Sequence, residues 1–494
     1  EAHYKALYNQ LRYVKGLSEN DAYTQANINM VGNTKENGGL TYNVFNYPEN
    51  EYLIGKDGRL NPNAKLGRVV NGYTLSPDDW VDEAYSSAFR QEYNVNISGG
   101  TNKMQMYGSF GYLNDEGIVP NAGYERYSAR FKGSYQAKSW LKFGANVNYT
   151  HSETSTLSED YSTDMASVVE QVAPIYPVYI RDEHGNIMTD ENGKLYDYGT
   201  TNTALGLARP VLPNSSIQSS ILNLSETNAN TFNGNGFVDI TFLKDFKFTF
   251  NAGTTVREQR YFTTSNPFYG FGAEQNGTIS VYHYRTTTLN LQQILNYNRS
   301  FGKHNVSAML GHESYKYNYV QLSAGKKNMF SYWENHELNG AIIDAASADS
   351  YATDYNTEGY FFRGLYDYDG KYFFSGSYRR DASSRFHPDH WWGNFYSIGA
   401  AYLISKEDWF KTNWVDLLKI KFSIGQQGND NIGNFRYIDT YTIKNNNDEL
   451  SLAFASKGNK DITWETNTNM NLGVEFELFK HKLTGSFEFF NRKT

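Results

Sequence analysis

The chain has 494 residues, a net charge of −8 and no cysteine, which excludes disulfide frameworks and thiolate metal sites, and it contains no long basic run that would indicate a nucleic-acid partner. Aromatic residues make up 16% of the chain, with 41 Tyr and 31 Phe, and no apolar run reaches the ~18 residues of a transmembrane helix. The mean hydropathy of −0.64 suits a soluble protein, but it also suits a membrane β-barrel, because half of each strand faces a polar lumen.

The first 78 residues show little regular pattern. Four large side chains stand at helical spacing ahead of Gly16, which predicts a helix that ends there: Tyr4, Leu7, Tyr8 and Leu11. Residues 26–78 are rich in Asn, Gly, Tyr and Pro. The chain starts with Glu1 and no apolar signal-peptide core follows, so we expect a piece of a longer exported product.

From Gln91 onward, apolar and polar residues alternate, as they do in strands with one apolar face. The alternation is clear in "WLKFGANVNYT" (140–150), "FKFTFNAG" (246–253) and "KYFFSGSYRRD" (371–381). In the last of these, one face is apolar and is predicted to contact lipid: Tyr372, Phe374 and Tyr378. The opposite face is polar and is predicted to line a lumen: Ser375, Ser377, Arg379 and Asp381.

The pattern predicts fourteen strands, near residues 92–100, 104–113, 125–136, 140–150, 235–243, 246–257, 283–300, 304–318, 358–368, 371–381, 394–403, 418–427, 467–479 and 482–493. Tight turns and long polar loops alternate between them, with one link of medium length at 404–417. Short turns at one end and long loops at the other are typical of an outer-membrane β-barrel, whose strands need ~9–11 residues to cross a bilayer. A large soluble β-protein is the alternative, but nothing would gather its long loops at one end.

Several stretches carry further motifs. "YNVNISGGTNKMQMYGSFGYLNDEGIV" (93–119) places S-G-G-T ahead of a Tyr-rich strand, and "YERYSARFKGSY" (124–135) follows it. The block at 366–410 contains "RRDASSRF" and "WGNFYS", and "LKIKFSIGQQGNDNIGNF" (418–435) precedes the Trp-Glu strand pair at 462–494. In this order, through most of 79–494, these stretches resemble the SusC/RagA-type TonB-dependent transporters.

The resemblance implies an all-β, transmembrane antiparallel barrel of the 22-stranded type, of which this chain holds about fourteen strands. Residues 1–78 resemble the C-terminal part of the plug and its connection to the barrel, and residues 79–494 the barrel with long extracellular loops, incomplete at its C-terminus. The plug core and the TonB box are absent, so we expect a fragment.

The resemblance also implies a function. It predicts active import, across the bacterial outer membrane, of nutrients too large for porins, namely oligosaccharides or peptides. The partners would be a SusD-like surface lipoprotein that acts as a lid and the TonB–ExbB–ExbD complex, which acts through the plug. The two-chain complex could also pair as a dimer. A passive barrel or an adhesin that binds a partner through its loops is the alternative function.

Two sets of candidate site residues follow from the sequence. A charge network, which could fix a loop or contact substrate or plug, lies where a strand meets a long loop: Arg379, Arg380, Asp381, Arg385 and Asp389. Aromatic side chains near or in the loops could contact substrate or lid: Trp391, Trp392, Tyr161, Tyr176, Tyr179, Phe268, Tyr269 and Trp333. Trp391 and Trp392 could stack on sugar rings or belong to an interfacial aromatic girdle.

The sequence lacks the catalytic motifs that would indicate a common class of enzyme. The chain has no G-x-S-x-G elbow, no H-E-x-x-H and no P-loop, so we predict no enzymatic activity. The acidic loop "RDEHGNIMTDENG" (181–193) could bind Ca²⁺, but a solvated loop explains it as well, and no cofactor is predicted.

Overall fold

The computed structural model describes residues 1–32, 38–157, 165–332, 335–344, 348–447 and 449–494. One antiparallel sheet dominates it, and its fourteen main strands pair with one another in chain order. The strands are β1 (Arg90–Gly100), β2 (Met104–Glu116), β3 (Gly123–Lys138), β4 (Leu141–Thr156), β5 (Ser225–Phe242), β6 (Phe246–Ser265), β7 (Thr278–Phe301), β8 (His304–Met329), β9 (Asp349–Tyr368), β10 (Tyr372–Ser383), β11 (Trp392–Leu403), β12 (Val415–Asn429), β13 (Glu465–Leu478) and β14 (Leu483–Lys493). A short strand, Ala341–Asp344, also pairs with β8. All fourteen predicted strands are confirmed.

Tight turns close one end of the sheet, as predicted. Between β9 and β10, Asp369 and Gly370 have φ of 57° and 61°, the left-handed conformation that a two-residue hairpin turn requires. Between β1 and β2, the N–H of Thr101 donates to the carbonyl of Met104 over 2.7 Å. The longest connections lie at the opposite end, which we call the loop end. The medium link between β11 and β12, residues 404–414, lies at the turn end.

Strands extend further toward the loop end than the alternation predicts. β7 has 24 residues and β8 has 26, whereas the pattern predicted 283–300 and 304–318. The reason is visible on β6, where every second residue faces outward. Outward positions are mostly apolar from Phe246 to Val256, and Glu258 and Arg260 follow. Above the lipid, neither face of a strand needs to be apolar. The alternation of apolar and polar residues therefore ends there, although the strand itself continues.

The outward face therefore carries an apolar band of limited height. From Phe246 to Val256, ten residues at ~3.4 Å each and a tilt of ~40° give a height of about 25 Å, the height of a barrel's lipid-facing band. The rings of Tyr93, Tyr112 and Tyr127 mark its upper edge on β1–β3: the first two are stacked with centroids 6.4 Å apart, and the third is tilted against the second at 5.0 Å. Tyrosines at that level are typical of the membrane interface.

The opposite, inward face is polar. On β4 and β5, the Nδ2 of Asn146 donates to Oδ1 of Asn235 over 3.2 Å, and on β6 and β7 Asn251 donates to Gln292 over 3.4 Å. Uncharged amides on neighbouring strands thus hydrogen-bond across the sheet, as a water-filled lumen permits.

The helices lie outside this sheet. They are α1 (Ala2–Asn9), α2 (Glu19–Val31), α3 (Trp80–Ala84), α4 (Met165–Gln171), α5 (Ile217–Leu222) and α6 (Gly270–Ala273), with a π-helical turn at Gln10–Val14 and 3₁₀ turns at Leu338–Gly340, Pro388–His390 and Ile404–Lys406. The predicted first helix is confirmed and stops before Gly16, whose φ is 70°. In the described part of the chain, no helix is long and apolar enough to cross a membrane.

Two separate stretches of chain, residues 38–88 and 165–222, each contribute buried side chains to one apolar core, and we call them the cap unit. Leu53 and Ile54 of the first stretch pack instead against α1 and α2. Tyr42, Trp80, Met165 and Tyr176 are among its buried side chains. Small hairpins lie in or near it: Phe45–Asn46 with Lys65–Leu66, Arg68–Val70 with Tyr73–Leu75, and Thr189–Asp190 with Gly193–Lys194. The cap unit contacts the connection between β2 and β3 at the loop end, where the N–H of Ser86 donates to the carbonyl of Ile118 over 2.7 Å. The plug assignment of residues 1–78 stays a prediction.

A further two-stranded hairpin, separate from those of the cap unit, projects from the loop between β12 and β13. Its strands are Thr440–Asn446 and Glu449–Ser456. One face of this hairpin is apolar and exposed: Tyr441, Ile443, Leu450, Leu452 and Phe454. We call it the apolar hairpin.

Candidate functional site

The inward face of β10 carries an ion-pair cluster near the loop end. Nε of Arg379 lies 2.7 Å from Oδ1 of Asp381, and its Nη2 lies 3.2 Å from Oε2 of Glu313 on β8. Glu313 also accepts hydrogen bonds of 3.2 Å from Asn290 and Gln292 on β7. One arginine thus joins two carboxylates across three strands, and the cluster continues the row of lumen amides.

Gly359 on β9 makes this arrangement possible. It lies between Glu313 and Asp381 in the strand register. A Cβ at this position would collide with the Asp381 carboxylate and would lie 3.0 Å from Nη2 of Arg379. The cluster therefore depends on a residue without a side chain at the centre of the three strands.

A second cluster ties two loops together just above the first. Oδ2 of Asp430 accepts from the hydroxyl of Tyr355 over 2.7 Å and from that of Ser383 over 2.6 Å. Arg385 donates to the carbonyl of Asp430 over 3.2 Å, and its guanidinium lies 4.2 Å from the centre of the Tyr355 ring. The 384–391 and 430–464 loops are thereby fixed at their bases.

Two residues of the predicted charge network stand apart from these clusters. Arg380 lies on the outward face, where its guanidinium is 4.9 Å from the Trp392 ring centre. Asp389 is exposed in the loop after β10, 3.3 Å from His387. The structure therefore brings Arg379 and Asp381 together, links Arg385 to Asp430, and leaves Arg380 and Asp389 elsewhere.

The two candidate tryptophans have different positions. Trp392 also faces outward, and its ring centre is 6.0 Å from that of Tyr360, which places it among interfacial aromatics. Trp391 donates its Nε1–H to the carbonyl of Phe386 over 2.9 Å. Its own carbonyl accepts from Trp464 over 2.9 Å, so Trp391 braces the loop.

Tyr176 and Tyr179 are core residues of the cap unit. Burial raises the pKa of the Tyr176 hydroxyl to about 12, and this hydroxyl donates to the carbonyl of Leu40 over 3.0 Å. The Tyr179 hydroxyl donates to Glu83, and burial raises its pKa as well. Both rings contact the unit's own interior.

The remaining aromatic candidates divide in two. Phe268 and Tyr269 follow β6, and the Tyr269 ring stacks on Tyr198 with centroids 5.6 Å apart. Tyr161 and Trp333 lie outside the described residues, so their roles stay predictions.

The acidic loop at 181–193 folds around its own backbone. The Asp182 carboxylate accepts from the Nδ2–H of Asn186 over 3.0 Å and from the N–H groups of Asn186 and His184 over 2.8 and 2.9 Å, and these bonds hold its pKa below the ordinary value. No group of three or more potential metal ligands comes together within the described ranges. The Ca²⁺ hypothesis for this loop stays a prediction.

Sequence reasoning missed a set of inward-facing tyrosines. They occur at every second position in "YHY" (282–284) and "YKYNY" (315–319). A period of two in a single residue type was the available signal, but Tyr282 and Tyr319 fall in stretches predicted to be loops, and the other three fall in predicted strands.

The chain is similar to known outer-membrane proteins over most of its length. It is 25% identical to the TonB-dependent receptor SusC of Bacteroides thetaiotaomicron over 84% of the chain and 42% of that protein. It is 27% identical to the TonB-dependent receptor P39 of Formosa agariphila over 84% of the chain and 38% of that protein. The chain thus spans about two fifths of these relatives, and no family model matches it.

The fold has solved counterparts. A structure of the RagAB peptide transporter superposes with a TM-score of 0.71, at 24% identity, over 84% of this chain and 45% of that one. RagAB in its "open-open" state gives a TM-score of 0.70 over the same shares. The resemblance predicted from the motifs is therefore confirmed: over most of its length the chain is similar to SusC and other TonB-dependent receptors, its sheet has the fold of the RagAB barrel, and its location is the bacterial outer membrane.

Proposed function

We propose that the protein imports large nutrients, oligosaccharides or peptides, across the outer membrane in a TonB-dependent process. The observation that supports this most is the two-sided sheet, with an apolar outward band of bilayer height and an inward face of amides and ion pairs. A wall of this kind suits a wide polar passage. Similarity to SusC over 84% of the chain supports the TonB-dependent part of the proposal.

The inward ion-pair cluster provides the test. Arg379→Gln leaves Glu313 and Asp381 as unneutralised neighbours, so we expect the loop bases to loosen and import to fall at least about tenfold, or ~1.4 kcal/mol. Arg380→Gln, one residue further, changes the outward face only, so import should stay within about twofold. Both variants would be placed in the complete protein, and uptake-dependent growth would be measured in a strain that lacks the chromosomal copy.

As a control, the amount of folded barrel in the outer membrane would be measured for each variant by its heat-modifiable migration in gel electrophoresis. Equal import by the two variants at equal amounts of folded barrel would contradict a role of the inward cluster. Uptake-dependent growth that does not require the TonB–ExbB–ExbD complex would instead favour the alternative function, a passive barrel.

We also propose a lipoprotein partner that covers the loop end, together with the TonB–ExbB–ExbD complex acting through a plug, and a dimer of the two-chain complex. The apolar hairpin supports the first of these. An isolated two-stranded hairpin is marginally stable in water, and Ile443 is 72% exposed on its apolar face. A protein surface that covers this face would stabilise it.

Charges on that face should separate the two chains. For the pair of changes Ile443→Asp and Leu452→Asp we expect at least about tenfold weaker association with the co-purifying lipoprotein, since each charge would be buried at the contact. Lys444→Asp and Ser451→Asp, on the opposite face, form the matched control. Undiminished co-purification of the first pair would rule out the hairpin as a contact.

A further inference from the structure

Tyrosine rings form a continuous series on the inward face of β6 to β9, and we call Tyr261, Tyr282, Tyr284, Tyr319 and Tyr351 the tyrosine ladder. Successive centroids lie 5.4 Å (Tyr261–Tyr282), 6.1 Å (Tyr282–Tyr284), 6.3 Å (Tyr284–Tyr319) and 5.8 Å (Tyr319–Tyr351) apart. Each spacing lies within the range of interacting aromatic rings. The ladder thus offers a run of ring surfaces on four adjacent strands.

The register places the whole ladder on the lumen side. Tyr284 lies an even number of positions from Asn290 and Gln292 on β7, so it shares their inward face. Tyr284 pairs with Gln321, which pairs with Tyr351, so that row faces inward as well. Because these positions lie beyond the apolar band, the ladder stands above the lipid.

The series leads down toward the ion-pair cluster. Tyr315 and Tyr355 form another ring pair, with centroids 6.3 Å apart, and Tyr315 is the next inward residue after Glu313 on β8. From the row of Tyr282 and Ser323 down to Tyr315 the strand covers about 27 Å at ~3.4 Å per residue. The rings therefore lead from the loop end to the cluster at Arg379.

Neutral side chains separate the rings. The inward positions beside Tyr319 and Tyr284 are Thr286, Gln321 and Thr353, which can both donate and accept hydrogen bonds. Two charged residues share the inward face beside the ladder, Arg257 on β6 and Asp349 on β9. The ring faces, with the hydroxyl and amide groups between them, fit a ligand that itself has apolar faces and many hydroxyls. An oligosaccharide has this chemistry.

A peptide fits the same surface less well. One way in which an extended peptide binds a sheet is by adding a strand to an open edge, where main-chain hydrogen bonds supply the affinity. β7 and β8 are paired on both sides along the ladder, so their backbone groups are already bonded to neighbouring strands. The wall has no edge to offer there.

We propose that the tyrosine ladder is a binding path for linear oligosaccharides, which stack on its rings on the way to the lumen. The proposal rests on the import function proposed above and names the substrate class for it. Tyr351 is 50% exposed and the other ladder rings are partly exposed, so ring surface is accessible.

The test uses the complete protein with its lipoprotein, and panels of linear oligosaccharides and of peptides of matched length as probes. We expect at least one oligosaccharide to bind, and the double variant Tyr284→Ala/Tyr319→Ala to raise its Kd roughly tenfold or more, since one aromatic contact is worth up to about a factor of ten. Tyr284→Phe/Tyr319→Phe keeps the rings and should retain most of the affinity. Tyr127→Ala, which removes an outward ring, should leave the Kd unchanged.

Binding of peptides alone, no binding of either panel, or an unchanged Kd in the alanine double variant would each overturn the proposal. A Kd raised equally by the alanine and phenylalanine pairs would also overturn it, since stacking would not be the cause. Failure of the import function would look different: binding would follow the ladder, but uptake would not depend on TonB.

Discussion

Phe374→Arg is expected to destabilise the barrel folded in lipid vesicles. Its free energy of unfolding should fall by about 2–4 kcal/mol, the range for a basic residue near the middle of a barrel's lipid face. Phe374 faces outward on β10 and is 53% exposed, between Tyr366 on β9 and Ala400 on β11 in the register. A guanidinium there would lie in the hydrocarbon layer. Folding titrations in vesicles measure the loss.

Ser375→Arg is the matched control, because it changes the next residue of the same strand. Ser375 faces inward, where its hydroxyl donates toward the carbonyl of Gly399 over 3.5 Å. An arginine there would be solvated in the lumen and should cost much less. A penalty at Ser375 equal to or above that at Phe374 would mean that β10 does not line a membrane, since the faces alternate with a period of two.

The second large effect concerns the cap unit. Arg209 and Asp197 are both buried there, and the Asp197 carboxylate accepts from the hydroxyl of Tyr42 over 2.9 Å. Arg209 donates to the carbonyl of Ser215, and its guanidinium lies 5.2 Å from the Trp80 ring centre. Burial raises the pKa of Asp197, and the nearby arginine acts against that rise. The positive charge of Arg209 therefore offsets part of the cost of burying the Asp197 carboxylate.

Arg209→Met should open the cap unit, because it leaves Asp197 buried without a cation at a cost of about 3 kcal/mol. Hydrogen exchange of the backbone around Asp197, whose N–H donates to the carbonyl of Val178 over 2.8 Å, should accelerate roughly a hundredfold. Arg68→Met removes an exposed arginine of the same unit and should change little.

Two further measurements separate charge from packing. Adding Asp197→Asn to Arg209→Met should recover part of the loss. Without the arginine, the pKa of Asp197 would lie further above its unfolded value, so the loss should shrink as pH falls and the carboxyl takes up a proton. A loss that is independent of pH and of Asp197→Asn would assign the effect to the lost packing of the arginine side chain.

The sheet could be predicted from sequence where two local signals agreed. Asp369-Gly370 marks a hairpin turn, and the flanking residues alternate, so β9 and β10 were predicted within a few residues at that end. The loop end was harder, because the outward face of β8 turns polar above the band while the strand continues to Met329. The alternation of apolar and polar residues reflects contact with lipid, so it does not show where the hydrogen-bonded pairing of the strands ends.

The candidate site was only partly predictable for a related reason. Arg379, Arg380 and Asp381 are adjacent in the sequence, but the period of two sends Arg380 to the other side of the wall. Tyr176 and Tyr179 are in a long connection and were predicted to contact substrate or lid. That connection has a core of its own, shared with residues 38–88, and only the tertiary structure brings the two stretches together.

The length of β8 beyond the apolar band has a consequence for how molecules approach the cell. The row of Val256, the upper edge of the apolar band on β6, reaches β8 at Asn318, and from there to Met329 the strand rises about 28 Å at ~3.3 Å per residue and a tilt of ~40°. The mouth of the wall therefore stands well clear of the lipid head groups. A molecule diffusing from the medium reaches this raised part of the wall, which carries the tyrosine ladder, before it reaches the lipid head groups.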